Sequence, residues 1–379
     1  MKVVVAIDSL KGSLSSIEAG NAIKEGIQRV DRNIEVVVRP LADGGEGSVE
    51  ALVEGCQGKL ETITVSGPLG KSVKASYGIL PKSHTAIIEV ACAAGITLID
   101  EKEKNPMLTT SYGVGEVIKD ALDKGNRRFI IGLGGSVTND GGVGMLQALG
   151  YDFLDENNQP IPLGAQGLKK LKRIDQQHVL NVLKECEFMI ACDVNNPLCG
   201  KQGASAVYGP QKGATQEMVE ELDQLLAHLS IITKQYYPSS DATLPGSGAA
   251  GGLGFAFSTF LSGKLQSGIE LILQETALES YLQNTDIVIT GEGCLDFQTS
   301  MGKAPIGVAK LAKKYHIPVI AFAGCVTEDA HECNRHGIDA FFPILRNIMT
   351  LEEALDKEQA KMNMINTVEQ VFRLWQMKK

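Results

Sequence analysis

Aromatic side chains are scarce in this chain: they make up 5% of 379 residues, with a single Trp. Nucleobases stack on aromatic faces, so a nucleic-acid platform is hard to build here. Basic excess is missing too, and a formal charge of −9 disfavours extended contact with a phosphate backbone. A small anion is still permitted, because a few lysines and backbone N–H groups can make a locally positive pocket in an acidic protein. None of the eight cysteines stands in a CxxC pair, which argues against a structural zinc site. The six histidines form no HExxH pair and GxSxG is absent, so neither zinc hydrolysis nor Ser–His–Asp catalysis has a local signature. The N-terminal MKVVVAIDSLKG lacks the apolar stretch and cleavage site of a signal peptide, and the cytoplasm is the expected compartment. The uncharged run at 242–263, ATLPGSGAAGGLGFAFSTFLSG, is interrupted by glycine and proline. It reads as a Gly-rich loop entering a buried helix, not as a membrane span.

Glycine, by contrast, is plentiful at 41 residues, and it gathers beside acids just after apolar runs. ADGGEG stands at 42–47, GLGGSVTNDGG at 132–142 and TGEGCLDFQTSMGK at 290–303. Glycine lets backbone N–H groups face a ligand at close range. Carboxylates in the same loops suit a metal ion or a proton transfer.

The organisation follows from the periodicities. Residues 3–7 form a β-branched run, and Ser15 with Glu18 makes a capping box for the helix after it. Residues 34–38 form a second strand, and DGGEGSVEALVEGC opens a second helix. The segment 61–90 alternates as strands in a partly antiparallel region. Strands are expected at 127–133 and 188–192, helices at 113–122 and 215–233, and a polar excursion at 155–172. From 285 onward the strand–loop–helix grammar returns, with helices at 302–315, 352–360 and 368–377. The expected fold is α/β, a Rossmann-like doubly wound domain formed by both chain ends (1–60 and 283–379) with an inserted mixed α/β domain (61–282). The active site is expected in the cleft between them.

Each loop supports a functional and a structural reading. Asp8 and Lys11 lie just past the first strand, where open α/β sheets bind ligands, and Lys11 can pair with a carboxylate or phosphate. Asp43 either caps a helix or serves a ligand. Gly134, Gly135 and Ser136 can lay amides under a phosphate, assisted by Ser136, Thr138 and Asn139, while Asp140 can hold magnesium. The loop is neither a GxxxxGK[ST] P-loop nor a complete dinucleotide fingerprint. Asp193, before Asn195, Asn196 and Pro197, is either a general base toward a hydroxyl or the start of an Asx-turn. Glu292 and Asp296 can both reach a metal if their segment is a loop, and Lys303 opens a helix fit for phosphate or carboxylate. Lys201 belongs to a loop that can cover a ligand, and Lys212 is expected in solvent.

Five phrases in order, AIDSLKGSLSS, PLADGGEGS, GLGGSVTNDGG, CDVNNPLCG with YGPQKG, and TGEGCLDFQTSMGK, closely resemble the bacterial glycerate kinase family over essentially the whole chain. The type it resembles is type 1, the kinases of glycolate and glucarate catabolism. The resemblance implies transfer of the γ-phosphoryl group of ATP to D-glycerate with Mg2+, usually giving 2-phosphoglycerate. It implies Asp193 as the base of the CDV-x-NPL phrase and functional roles for Asp8, Lys11, Asp43, Glu292, Asp296 and Lys303. A different small-acid or sugar kinase, a nicotinamide-dependent dehydrogenase and a non-catalytic binding protein are the rival readings. A small-molecule substrate is expected, with no nucleic-acid or membrane partner.

Overall fold

Strands begin where β-branched residues cluster and end where glycine or acid interrupts them. The computed structural model describes residues 1–42 and 47–377. In chain order the strands are β1 (Lys2–Val5), β2 (Glu35–Val38), β3 (Lys59–Ser66), β4 (Ser72–Leu80), β5 (Thr85–Glu89), β6 (Arg128–Gly132), β7 (Asp152–Leu154), β8 (Arg173–Asp175), β9 (Glu187–Ala191), β10 (Lys264–Gln266), β11 (Ile287–Leu295), β12 (Val319–Val326) and β13 (Ala340–Pro343). They build a five-stranded sheet, a six-stranded sheet and a small β7–β8 ribbon.

The chain divides into two units, one comprising Met1–Asp43, Glu50–Gln57 and Ile269–Lys379, the other Gly44–Val49 and Gly58–Gly268. The first is the Rossmann-like unit made from both chain ends. Its sheet runs β13-β12-β11-β1-β2, parallel throughout. β1 lies inside the sheet between β11 and β2, and Val3, Val4 and Val5 are fully buried, as a parallel strand covered on both faces requires. The helix Ser16–Val30 starts with the capping box read from the sequence: Ser15 accepts from the Glu18 N–H while Glu18 accepts from the Ser15 N–H. It packs on the C-terminal helix Lys357–Gln376. Gly26 makes that approach possible, since a Cβ there would stand 2.6 Å from the Ile365 carbonyl oxygen. The two C-terminal helices expected at 352–360 and 368–377 are instead Leu351–Leu355 and one continuous Lys357–Gln376. The break falls at Asp356, whose extended backbone ends the first and whose carboxylate caps the second through the Gln359 N–H.

The second unit carries the inserted mixed sheet, ordered β10-β9-β6-β5-β4-β3. β5, β6, β9 and β10 are parallel, while β3–β4 and β4–β5 pair antiparallel, which accounts for the alternation read at 61–90. Its core includes Phe129 stacked on Phe188 at 4.8 Å between ring centroids. Burying such side chains contributes about 1.5–3 kcal/mol each. The expected polar excursion at 155–172 contains a 3-10 helix, Ala165–Lys170, whose Leu168 is buried. The uncharged run supplies the buried helix Ala249–Phe260, preceded by Gly248. Its first turn is not helical: Ala250, Gly251 and Gly252 have φ of 50°, 69° and 98°. Among the described residues, no helix is long and apolar enough to cross a membrane.

Candidate active site

Strand register decides which loops meet. In the first unit β1 and β11 are parallel neighbours with Val5 opposite Ile289, so the chain leaving β1 runs beside the C-terminal half of β11. The Asp8 N–H donates to the Gly291 carbonyl at 2.9 Å, tying the loop after β1 to strand β11. Asp8 is buried, and its Oδ1 accepts from the Ser9 N–H at 2.6 Å. Gly291 has φ 153°, and a Cβ there would stand 1.8 Å from the Phe322 carbonyl oxygen, so only glycine fits. A Cβ on Gly293 would lie 3.4 Å from the Lys11 backbone nitrogen, which sets the backbone of exposed Lys11 beside β11.

Glu292 and Asp296 converge on one hydroxyl. Thr299 Oγ1 lies 2.6 Å from Glu292 Oε1 and 3.2 Å from Asp296 Oδ1. Asp296 also caps the short helix Phe297–Ser300 by accepting from the Thr299 N–H at 2.9 Å. Lys303, at the mouth of the helix Ala304–Lys313, sits 3.9 Å from Glu292 Oε2. The structure thus brings Asp8, Lys11, Glu292, Asp296 and Lys303 to one end of one sheet. Asp43 lies outside the described residues.

In the second unit the parallel register of β6 and β9, with Gly132 opposite Ala191, sets the GGSVTNDGG loop beside Asp193. Gly134 and Gly135 are exposed, and Gly135 turns the chain with φ 69°. Among the described residues, the N–H groups of Gly134, Gly135 and Ser136 have no hydrogen-bond acceptor. Farther in, Thr138 and Asn139 are fully buried. Asn139 Nδ2 donates to Ser205 Oγ at 2.9 Å, while Asn139 Oδ1 and Thr138 Oγ1 lack a partner among the described residues. The left-handed turn at Ala250–Gly252 supports this loop from below. Gly141 N–H donates to the Gly251 carbonyl at 3.0 Å, and a Cβ on Gly251 would stand 2.0 Å from the Thr138 carbonyl oxygen. Asp193 is exposed, and its Oδ1 accepts from the Gly268 N–H at 2.9 Å.

Two residues have surroundings that their sequence context did not show. Protein donors already surround the carboxylate of Asp140, the expected magnesium ligand. Oδ2 accepts from the Ser111 N–H (2.8 Å), Ser111 Oγ (2.9 Å), Gly144 N–H (3.3 Å) and Thr110 Oγ1 (3.4 Å), and Oδ1 accepts from the Gly142 N–H (3.0 Å). The residue is buried and pins the loop to the segment before the helix Tyr112–Asp123, and burial pushes its carboxyl pKa upward. Lys212, expected in solvent, is buried at 2% exposure. Its Nζ donates to the Thr138 carbonyl at 2.7 Å and to Ser136 Oγ at 3.2 Å. Burial pulls its pKa down to about 7, against the attraction of Asp140. The sequence signal for it was weak: one lysine in a Gly- and Pro-rich turn. Glu89 ends apolar β5 next to β6, and its Oε1 accepts from the Val49 N–H at 3.1 Å.

The residues fit the groups a phosphoryl transfer needs. Unassigned amides beside a buried ammonium suit phosphate oxygens. Among the described residues no three His, Cys, Asp or Glu side chains converge on a metal-sized site. The Glu292–Asp296 pair nevertheless suits Mg2+, which takes one or two carboxylates together with substrate phosphates.

Comparison with known proteins agrees with this chemistry. The glycerate kinase family matches residues 3–376. The chain is 48% identical over 374 residues to a glycerate kinase of Haemophilus influenzae, covering 99% of this chain and 98% of the relative. It is 47% identical over 354 residues to the glycerate 2-kinase of Escherichia coli, covering 93% of each. A crystal structure provisionally named glycerate kinase 2, from Salmonella typhimurium LT2, superposes with a TM-score of 0.93 at 44% identity, covering 100% of this chain and 99% of that one. These names correct the type 1 placement and point to the type-2 subfamily. The loop phrases alone did not separate the two. The chain belongs to the glycerate kinase family and is an enzyme of the glycerate kinase type.

Proposed function

We propose that the enzyme transfers the γ-phosphoryl group of ATP to the 2-hydroxyl of D-glycerate, giving 2-phosphoglycerate, in the cytoplasm. The observation that carries this reading is the trio of unassigned amides at Gly134, Gly135 and Ser136 beside the Lys212 ammonium, a cradle for nucleotide phosphates. Thr138 and Asn139 hold the floor of that cradle, and Asp140 holds its shape. Asp193 acts as general base: a carboxylate at a strand end, with Oδ1 oriented by Gly268, can take the hydroxyl proton as the oxygen attacks. Lys11 and Lys303 offer cations to the glycerate carboxylate, with Asp8 and Asp43 as acceptors for its hydroxyls. Glu292 and Asp296 hold magnesium, which when bound neutralises charge on the phosphate oxygens.

The name of the Escherichia coli relative supports the 2-position. The test is a magnesium–ATP assay with D-glycerate, the product read by phosphorus NMR. A 2-phosphoglycerate resonance is expected; a 3-phosphoglycerate resonance overturns the assignment of the hydroxyl, and no turnover overturns the substrate.

A further inference from the structure

β11 and β12 are parallel neighbours in which Cys294 stands directly opposite Cys325. Side chains at paired positions of adjacent strands point to the same face, and strand spacing of about 4.8 Å lies within the Cα separation a disulfide accepts. The two Sγ atoms are 2.6 Å apart, closer than unbonded sulfurs normally rest, and both thiols are free. Cys325 is exposed and Cys294 partly buried. The backbones also draw together at this level: a Cβ on Gly324 would stand 2.6 Å from the Gly293 carbonyl oxygen. Cys294 sits inside the TGEGCLD phrase, with Glu292 two residues before it and Asp296 two after.

We propose that Cys294 and Cys325 form a redox-active dithiol, closing to a reversible disulfide that slows the enzyme by pinning the strand ends that carry Glu292 and Asp296. The oxidant is a small-molecule disulfide. Exposed Cys325, once its proton has passed to water, attacks one sulfur of that disulfide; the small S–S bond breaks and the first small thiol leaves with a proton. Cys294 then loses its proton and attacks the Cys325 sulfur. The mixed disulfide breaks, and the second small thiol leaves. Two protein thiols are oxidised and one small disulfide is reduced to two thiols. The order follows from access: exposed Cys325 meets the small disulfide first, and partly buried Cys294 is the resolving partner. The effect on rate rests on the proposed role of Glu292 and Asp296; formation of the bond does not.

The test compares the full-length enzyme in reduced and oxidised glutathione. Oxidation is expected to remove two of eight alkylatable thiols, to join the peptides holding Cys294 and Cys325, and to lower glycerate phosphorylation several-fold, with recovery in dithiothreitol. Cys325→Ser and, independently, Cys294→Ser should keep their activity in oxidised glutathione. Failure of the cross-link to form in the folded enzyme overturns the proposal, as does a cross-linked enzyme that turns over as fast as the reduced one. Activity of the reduced enzyme on glycerate is a separate readout, so failure of the substrate assignment is distinguishable from failure of the switch.

Discussion

The Lys212 ammonium donates to the Thr138 carbonyl at 2.7 Å, and both residues are buried. A cation is therefore built into the floor of the Gly-rich loop, where phosphate charge would offset what burial costs it. Lys212→Met keeps the length and removes the charge. The KM for ATP should rise about tenfold, the loss of one charge-assisted hydrogen bond, as read by initial rates over a range of ATP.

The same residue predicts a pH dependence. In the folded chain Lys212 titrates at about 7, against 10.5 for an ordinary lysine. Between those values the unfolded state binds the extra proton, so stability rises with pH, and below about 7 the penalty of the buried charge is fully present. Urea unfolding of the nucleotide-free enzyme from pH 6 to 10 should show that rise relative to Lys212→Met, by up to about 1.4 kcal/mol per pH unit. Parallel profiles would refute a titrating Lys212.

Asp193→Asn retains an oxygen for the Gly268 N–H but loses the base. Turnover should fall about 10²–10⁴-fold, with the thermal midpoint unchanged. Near-normal kcat would remove Asp193 from the chemistry.

Asp140→Asn would turn an amide donor toward the Ser111 and Gly144 N–H groups. A loss of about 2–3 kcal/mol in urea unfolding is expected, with the magnesium requirement of the remaining folded enzyme unaltered. A raised magnesium requirement would restore Asp140 as a ligand.

Gly291→Ala places a Cβ 1.8 Å from the Phe322 carbonyl oxygen. The backbone must shift where β1 and β11 present Asp8 and Glu292, so a loss of about 3 kcal/mol or more is expected. Unfolding identical to that of the unmodified enzyme would contradict the close approach.

Strands and loops were legible because burial leaves a period in the sequence. The Val-rich β1, the alternation of β3 and β4 and the Ser15–Glu18 capping box all express contacts made within a few residues or one strand pair. The environments of Asp140 and Lys212 were not legible because they come from distant segments. Ser111 reaches Asp140 across 29 positions, and Lys212 reaches Thr138 across 74. An acid among glycines looks the same whether it faces water or five buried donors. The continuous helix Lys357–Gln376 was obscured by the polar residues between its two apolar stretches.

The pairing of β1 has a consequence for synthesis. One neighbour, β2, follows within forty residues, whereas Val3 pairs on its other side with Ile287. A nascent chain therefore leaves the ribosome with its first strand half-paired. All of Gly58–Gly268, with its own sheet and core, is made before the second neighbour exists. Domains generally fold as units during translation, so the inserted unit can fold while the N-terminal segment waits. The exposed edge of β1 during that interval is where chaperone binding and aggregation of the newly made enzyme should concentrate.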